Sequence, residues 1–312
     1  MRTEADPDRH ILITGIHRSG TTFVGRILSL APGTGYVQEP FNPDLGVEGI
    51  EKWYLYIREG LPEEERYAEL VCRILSGRAH YRRRPGHADG MLRKLGRKVF
   101  GSRDNLVYLA STRLPGPRRL IMKDPLAALS SEWLHRRFGM DVLILLRHPA
   151  DFVSSTMRLE WDFNFSNLTS QAPLMEEHLG DVLGSCDTVS MSPLERGALL
   201  WRCVYSVLTV FVDRNPGMRM MRLEDISASP AGKFEEIHRF LGLPLTARSL
   251  RTISESTGSD NPVEAPEGQV HCLKRSSGRL AGLWRKSLDE AQAARIRELA
   301  GPVAEKHYRE DW

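Results

Sequence analysis

The stretch HILITGIHRSGTTFVGRILSL, His10–Leu30, decides the fold. Its first half is a continuous apolar run ending in Gly15, the pattern of a strand buried on both faces. Its second half, from Thr21, places apolar residues at helical spacing and is closed by Pro32 and Gly33. Between them lies GIHRSGTT, Gly15–Thr22. Glycines at 15 and 20 let the backbone turn tightly and aim its N–H groups inward, and the start of the following helix adds the positive end of its dipole. An anion is expected there. The usual phosphate-loop pattern is Gly, four residues, Gly, Lys and Ser or Thr, but here Thr21 stands in the lysine position and the cation has moved upstream to Arg18. A guanidinium supplies permanent charge and a fork of donors without a metal. That suits a phosphate carrying a non-phosphate group better than a triphosphate held with Mg²⁺.

Strands continue to alternate with helices. Further strands are predicted at 35–39, 119–123, 141–147 and 218–224, and helices near 49–59, 63–78, 130–138, 149–158, 193–214, 230–241 and 288–307. The alternation predicts an α/β fold, a P-loop-type doubly wound parallel sheet flanked by helices in a single domain spanning 1–312. One stretch interrupts it: from Arg73 to Arg119 about a dozen Lys and Arg face only Asp89 and Asp104, which reads as a basic helix and loop insertion. Such an insertion is either a solvated surface or an acceptor-side element. In LILLRHPADFVSS, Arg147 ends a buried strand and Ser155 follows two turns into the next helix, whose first residue is Pro149. Arginine at that end of a strand lies on the ligand-binding edge of open α/β sheets, so Arg147 suggests a second phosphate.

Composition is permissive. A chain of 312 residues with 41% hydrophobic and 27% charged residues and a net charge of +3 is an ordinary soluble globular protein, and global charge names no partner. Four cysteines, Cys72, Cys186, Cys203 and Cys272, lie far apart, which fits reduced thiols rather than a zinc site or disulfide framework. The polar N-terminus and short first apolar run lead us to expect a cytoplasmic chain, in which the sequons at Asn164 and Asn167 are chance.

These motifs together resemble the sulfotransferases that use 3′-phosphoadenosine 5′-phosphosulfate (PAPS). In that family a loop of the form (R/K)SGTT holds the 5′-phosphosulfate, which maps onto Arg18, Ser19, Gly20, Thr21 and Thr22. The family's R-x-P-x-D-x-x-x-S segment holds the 3′-phosphate and matches Arg147, Pro149, Asp151 and Ser155. YVQEP, IMKDP and RLEDI…FEEIHRFLGLP resemble further family segments, and CLKRSSGR, 272–279, resembles the late loop that covers the cofactor in heparan-type enzymes. The resemblance spans about residues 11–284 and implies cofactor contacts from Arg275, Ser276, Gly278 and Arg279 within a covering loop at 260–284. Two departures stand out: Leu223 replaces a tyrosine expected before Glu224, and Ser277 occupies a position that is often basic. Lys123-Asp124-Pro125 replaces the Lys-Thr-His of the phenol and steroid enzymes, so the chain sides with the carbohydrate and tyrosylprotein branches, where a glutamate is the base.

The resemblance implies a PAPS-dependent enzyme, needing no metal, that transfers a sulfuryl group to a hydroxyl of a carbohydrate or glycolipid and releases 3′-phosphoadenosine 5′-phosphate (PAP). Negative charge grows on the bridging oxygen as its bond to sulfur breaks, and Arg18 and Lys123 are the cations placed to meet it. The acceptor hydroxyl needs a base. Glu39 is the candidate, with His17 and His148 as rivals beside the phosphate segments. Asp124 is a candidate to orient Lys123. Trp201, Trp284 and the group Trp161, Phe163 and Phe165 either pack in the core or stack on a ring. No nucleic acid partner is implied; a peripheral membrane contact and the oligomeric state stay open. Two rival readings are a P-loop small-molecule kinase using ATP-Mg²⁺ and a non-catalytic protein binding an anionic polymer through 73–119.

Overall fold

The strand predicted before the loop is β1, Ile11–Gly15, all five residues buried. In the computed structural model, which describes residues 9–82, 108–112, 119–257 and 282–312, it lies at the centre of a five-stranded sheet. The other strands are β2 (Thr34–Gln38), β3 (Arg119–Lys123), β4 (Asp141–Leu146) and β5 (Met218–Arg222), in the spatial order β2-β3-β1-β4-β5. Every pairing is parallel, with Ile13 opposite Lys123 and Gly15 opposite Leu145. Connections from β1 and β4 therefore leave toward opposite sides of the sheet, which makes the crevice between their C-terminal ends a topological switch point.

Side chains alternate across the sheet, as strand geometry requires. Ile11, Ile13, Ile121, Leu143 and Leu145 face one core with α1 (Thr21–Leu28), α7 (Pro230–Leu241) and α8 (Ala247–Thr257). Leu12, Met122, Val142, Ile144 and Leu146 face the other, where α3 (Ser131–Phe138), α4 (Pro149–Arg158), α5 (Pro193–Arg214) and α9 (Glu290–Tyr308) pack. Each fully buried Leu or Ile here contributes about 1.5–3 kcal/mol. The helix ends obey local chemistry. Ser192 and Glu195 form a reciprocal capping box with Pro193 in the first turn of α5, and Gly242 at φ 62° ends α7. Within α9 the chain kinks at Gly301 (φ 61°), followed by Pro302.

Three sequence expectations change. Residues 49–59 are not helical: Gly49 and Tyr54 have φ of 103° and 53°, and the segment bonds instead to a distant one, Trp53 N–H to Asn167 Oδ1 and Tyr56 N–H to Gln171 Oε1. Residues 223–224 begin a short helix, α6 (Leu223–Ala228), instead of continuing β5. Finally, α8 and the short helical turns at 166–183 were not anticipated. Of the basic insertion, α2 (Glu64–Leu75) takes the first residues, and Tyr108 is tied to its end by an O–H bond to Ile74 O (2.7 Å); 83–107 and 113–118 lie outside the described residues.

Candidate active site

The loop after β1 turns at two positions that favour glycine, Gly15 because a backbone oxygen crowds it and Gly20 through its positive φ. A Cβ on Gly15 (φ 133°) would lie 2.2 Å from the Leu145 carbonyl oxygen, and one on Gly20 (φ 85°) would lie 2.6 Å from Leu223 Cδ1. Between them Arg18 adopts φ 68°, a left-handed conformation that costs a non-glycine residue about 1–3 kcal/mol. The turn is closed by Ser19, whose N–H bonds Ile16 O (3.3 Å) and whose hydroxyl donates to the same oxygen. Ser19 is fully buried, so its side chain shapes the loop. Thr21 and Thr22 are the first two residues of α1, at the end of the helix where N–H groups lack intrahelical partners.

Arg147 leaves β4 beside this loop. Its Nη1 donates to Arg18 O (2.9 Å), and Arg18 Nε donates to Ser155 Oγ (3.2 Å). Arg18, Arg147 and Ser155 thus converge at the switch point. Two α5 side chains that sequence reasoning did not assign hold the convergence. Tyr205 O–H donates to Leu145 O (2.7 Å) and accepts from Ile16 N–H (3.2 Å), and Trp201 Nε1 donates to Arg147 O (2.8 Å). Their i, i+4 spacing marks one helix face, but not that their polar ends reach the strand ends. Trp201 is fully buried and Trp284 is stacked on His148 at 5.6 Å, so both are core residues instead of ring platforms; Phe163 and Phe165 are buried too.

Lys123 ends β3 and Glu39 follows β2. Glu39 N–H bonds Lys123 O (2.8 Å), and the Lys123 ammonium, fully buried, donates to the Glu39 carboxylate, whose other oxygen accepts from Asn42 Nδ2 (3.3 Å). The Glu39 side chain remains 24% exposed, so solvent reaches it. Asp124 does something other than orient Lys123. Its carboxylate accepts from Phe41 N–H and from Leu126 N–H (2.9 Å), shaping the turn after β3. Burial, reinforced by the nearby Glu39 charge, pushes Asp124 up to about 7. Glu39, Lys123, the Arg18 loop and Arg147 therefore occupy four neighbouring strand ends, β2, β3, β1 and β4, in that spatial order.

The two histidines are built into the frame. His17 Nδ1 lies 2.6 Å from Tyr54 Oη, with its ring 4.0 Å from Trp161 and 5.2 Å from Phe152. His148 Nδ1 accepts from Ala150 N–H (3.2 Å), capping α4, and the His148 backbone N–H donates to Glu224 Oε1 (2.8 Å). Burial first, then neighbouring arginines, pulls both rings down to about 3, so both are neutral and poorly basic at physiological pH.

Arg275, Ser276, Ser277, Gly278 and Arg279 lie outside the described residues. Where the chain resumes, Gly282 N–H and Trp284 N–H donate to the two oxygens of Asp151 at 3.1 and 3.0 Å. That third member of the Arg147 motif thus fastens the far end of the late segment to α4.

Comparison with known proteins gives this geometry a family. The curated proteins contain no match to the chain. Among solved structures it is similar to the sulfotransferase domain from the Synechococcus PCC 7002 olefin synthase, at 16% identity over 96% of this chain and 95% of that one, TM-score 0.46. It is also similar to the sulfotransferase domain from the curacin biosynthetic pathway (15% identity, 98% of each chain, TM-score 0.42). A third is mouse sulfotransferase SULT7A1 complexed with PAP (16% identity, 95% of this chain and 84% of that one, TM-score 0.43). The family described as the sulfotransferase domain matches residues 8–307, from just before β1 to the end of α9. The chain belongs to the sulfotransferase family.

Proposed function

We propose that the sulfuryl donor is PAPS and the acceptor a hydroxyl of a carbohydrate or glycolipid. The observation that carries the donor reading is the junction of Arg18, Arg147 and Ser155 at the β1/β4 switch point, where two cationic segments serve one crevice. The cradle fits a phosphoryl group: Gly15 has no room for a Cβ beside the Leu145 carbonyl, Gly20 turns at φ 85°, and the α1 N-terminus follows directly. Arg18, Gly20, Thr21 and Thr22 hold the 5′ side, with Ser19 setting the loop's shape. Arg147 and Ser155 hold the 3′-phosphate, joined by Arg275, Ser276, Gly278 and Arg279 on the resemblance alone.

PAPS supplies the sulfuryl group. Arg18 and Lys123 meet the charge that grows on the bridging oxygen as its bond to sulfur breaks, and such stabilisation is usually the largest catalytic contribution. Glu39 takes the proton of the acceptor oxygen as that oxygen bonds to sulfur. The Lys123–Glu39 ion pair holds cation and base against each other, so the base sits beside the charge it must work with. The acceptor class rests on the likeness of Glu39-Pro40 and Lys123-Asp124-Pro125 to the carbohydrate branch, and the basic composition of 73–119 would suit an anionic or lipid-linked acceptor. The free thiols Cys72, Cys186 and Cys203 support action in the cytoplasm. No described helix is long and apolar enough to cross a membrane.

Thermal shifts test the donor: PAP in EDTA is expected to raise Tm, and a rise with ATP-Mg²⁺ alone would favour the kinase reading. Sulfur-labelled PAPS incubated with host extracts tests the rest. A labelled glycan or glycolipid is expected from the wild type, and Glu39→Gln should lower kcat by about 10²–10⁴-fold. A Glu39→Gln variant with wild-type kcat would remove Glu39 from the role.

A further inference from the structure

The last five residues reach back to the Arg147 segment. Tyr308 O–H donates to Glu224 Oε2 (2.9 Å), and the other oxygen of that carboxylate accepts from His148 N–H, the peptide between Arg147 and α4. The His148 ring is enclosed by Trp284 (5.6 Å, stacked), Tyr308 (4.8 Å, edge-on) and Trp312 (4.6 Å, edge-on). Two of these three rings come from the C-terminal segment. That segment is itself anchored: Arg222 pairs with Asp311 (2.7 Å), donates to His307 O (3.0 Å) and lies 4.5 Å over the Tyr308 ring. Arg285 Nη2 donates to Asp311 O (2.6 Å).

His148 is the hinge between two groups that must act together. Arg147 precedes it, and Ser155 lies on the helix whose first turn it caps through Nδ1. A tilt of the ring would break the cap and move Ser155 relative to Arg147. The 5′ loop has its own anchor in Tyr205, which bonds Ile16 N–H and Leu145 O, and meets this half through the Arg147–Arg18 O and Arg18–Ser155 Oγ bonds. We infer that Tyr308 and Trp312 are positioning residues for the Arg147–Ser155 half of the anion site, so that the C-terminal segment sets how strongly the protein discriminates for a 3′-phosphate. This rests on the donor reading given above.

The test is calorimetric binding of PAP and of adenosine 5′-phosphate, which lacks the 3′-phosphate, to wild type, Trp312→Ala, Tyr308→Phe and Trp312→Phe. Trp312→Ala and Tyr308→Phe are expected to weaken PAP about three- to thirtyfold while adenosine 5′-phosphate changes less than twofold. Trp312→Phe, which keeps a ring against His148, should restore most of the loss. Equal weakening of both nucleotides, or none for either, would overturn the inference while leaving the donor reading standing. A wild type that binds PAP no better than adenosine 5′-phosphate would overturn both.

Discussion

At the N-terminal edge of the sheet Arg119 is buried among oxygens that satisfy it: Asp141 Oδ2 at 2.9 Å, Leu241 O and Arg9 O, with Arg9 itself 3.6 Å from Asp141. At the C-terminal edge Arg147 donates to the Arg18 carbonyl and Arg18 donates to the Ser155 hydroxyl. The first cluster contains its own counter-charge and closes a structure. In the second, the hydrogen bonds of Arg18 and Arg147 go to neutral oxygens, and the carboxylates of Asp151 and Glu224 lie near enough to Arg147 for its charge to favour their ionised forms.

Substitution should separate the two edges. The largest effect is expected from Arg119→Met, which leaves Asp141 buried without its main partner; unfolding in urea should show a loss of about 3–5 kcal/mol. If PAP binding by the folded fraction fell as well, the edges would not be independent. Arg147→Gln should do the reverse, weakening PAP by about 10- to 100-fold in calorimetry with little change in the urea midpoint. A large loss of stability there would make Arg147 a second structural arginine. A third effect is a slope. His148 is held at about 3, below its unfolded value near 6.5, so its contribution is present above pH 6.5 and is lost as pH falls toward 3. His148→Asn keeps a capping side chain and removes the titration. Between pH 6 and 4 the wild type should lose about 1.4 kcal/mol more per pH unit than the variant. Asp124, raised to about 7, titrates the opposite way, losing its contribution as pH rises through 7, and cancels in the difference because both proteins carry it.

The central strands, the loop and the capped helices were legible because their signals are local. An apolar run ending in glycine needs no distant partner to be a buried strand, and Ser192-Pro193 with Glu195 announces a helix start wherever it lies. Residues 49–59 were not legible. Trp53, Tyr54 and Tyr56 recur at a spacing a helix would use, but their backbone is satisfied by Asn167 and Gln171, more than a hundred residues away. At the site, the sequence named Arg18, Glu39, Lys123 and Arg147 because charged residues at strand ends are conspicuous. It could not show that Tyr205 and Trp201 hold the strand ends, that Asp124 is taken up by the backbone of Phe41 and Leu126, or that the C-terminus returns to His148. Those facts live in pairs far apart in the chain.

The Gly15–Leu145 register carries a last consequence. Because the loop after β1 and the Arg147 segment spring from adjacent strands paired in register, the gap between their starting points is fixed by the strand spacing of a β-sheet, about 4.8 Å, before any loop is drawn. A substitution can reshape either loop without changing how far apart the two begin.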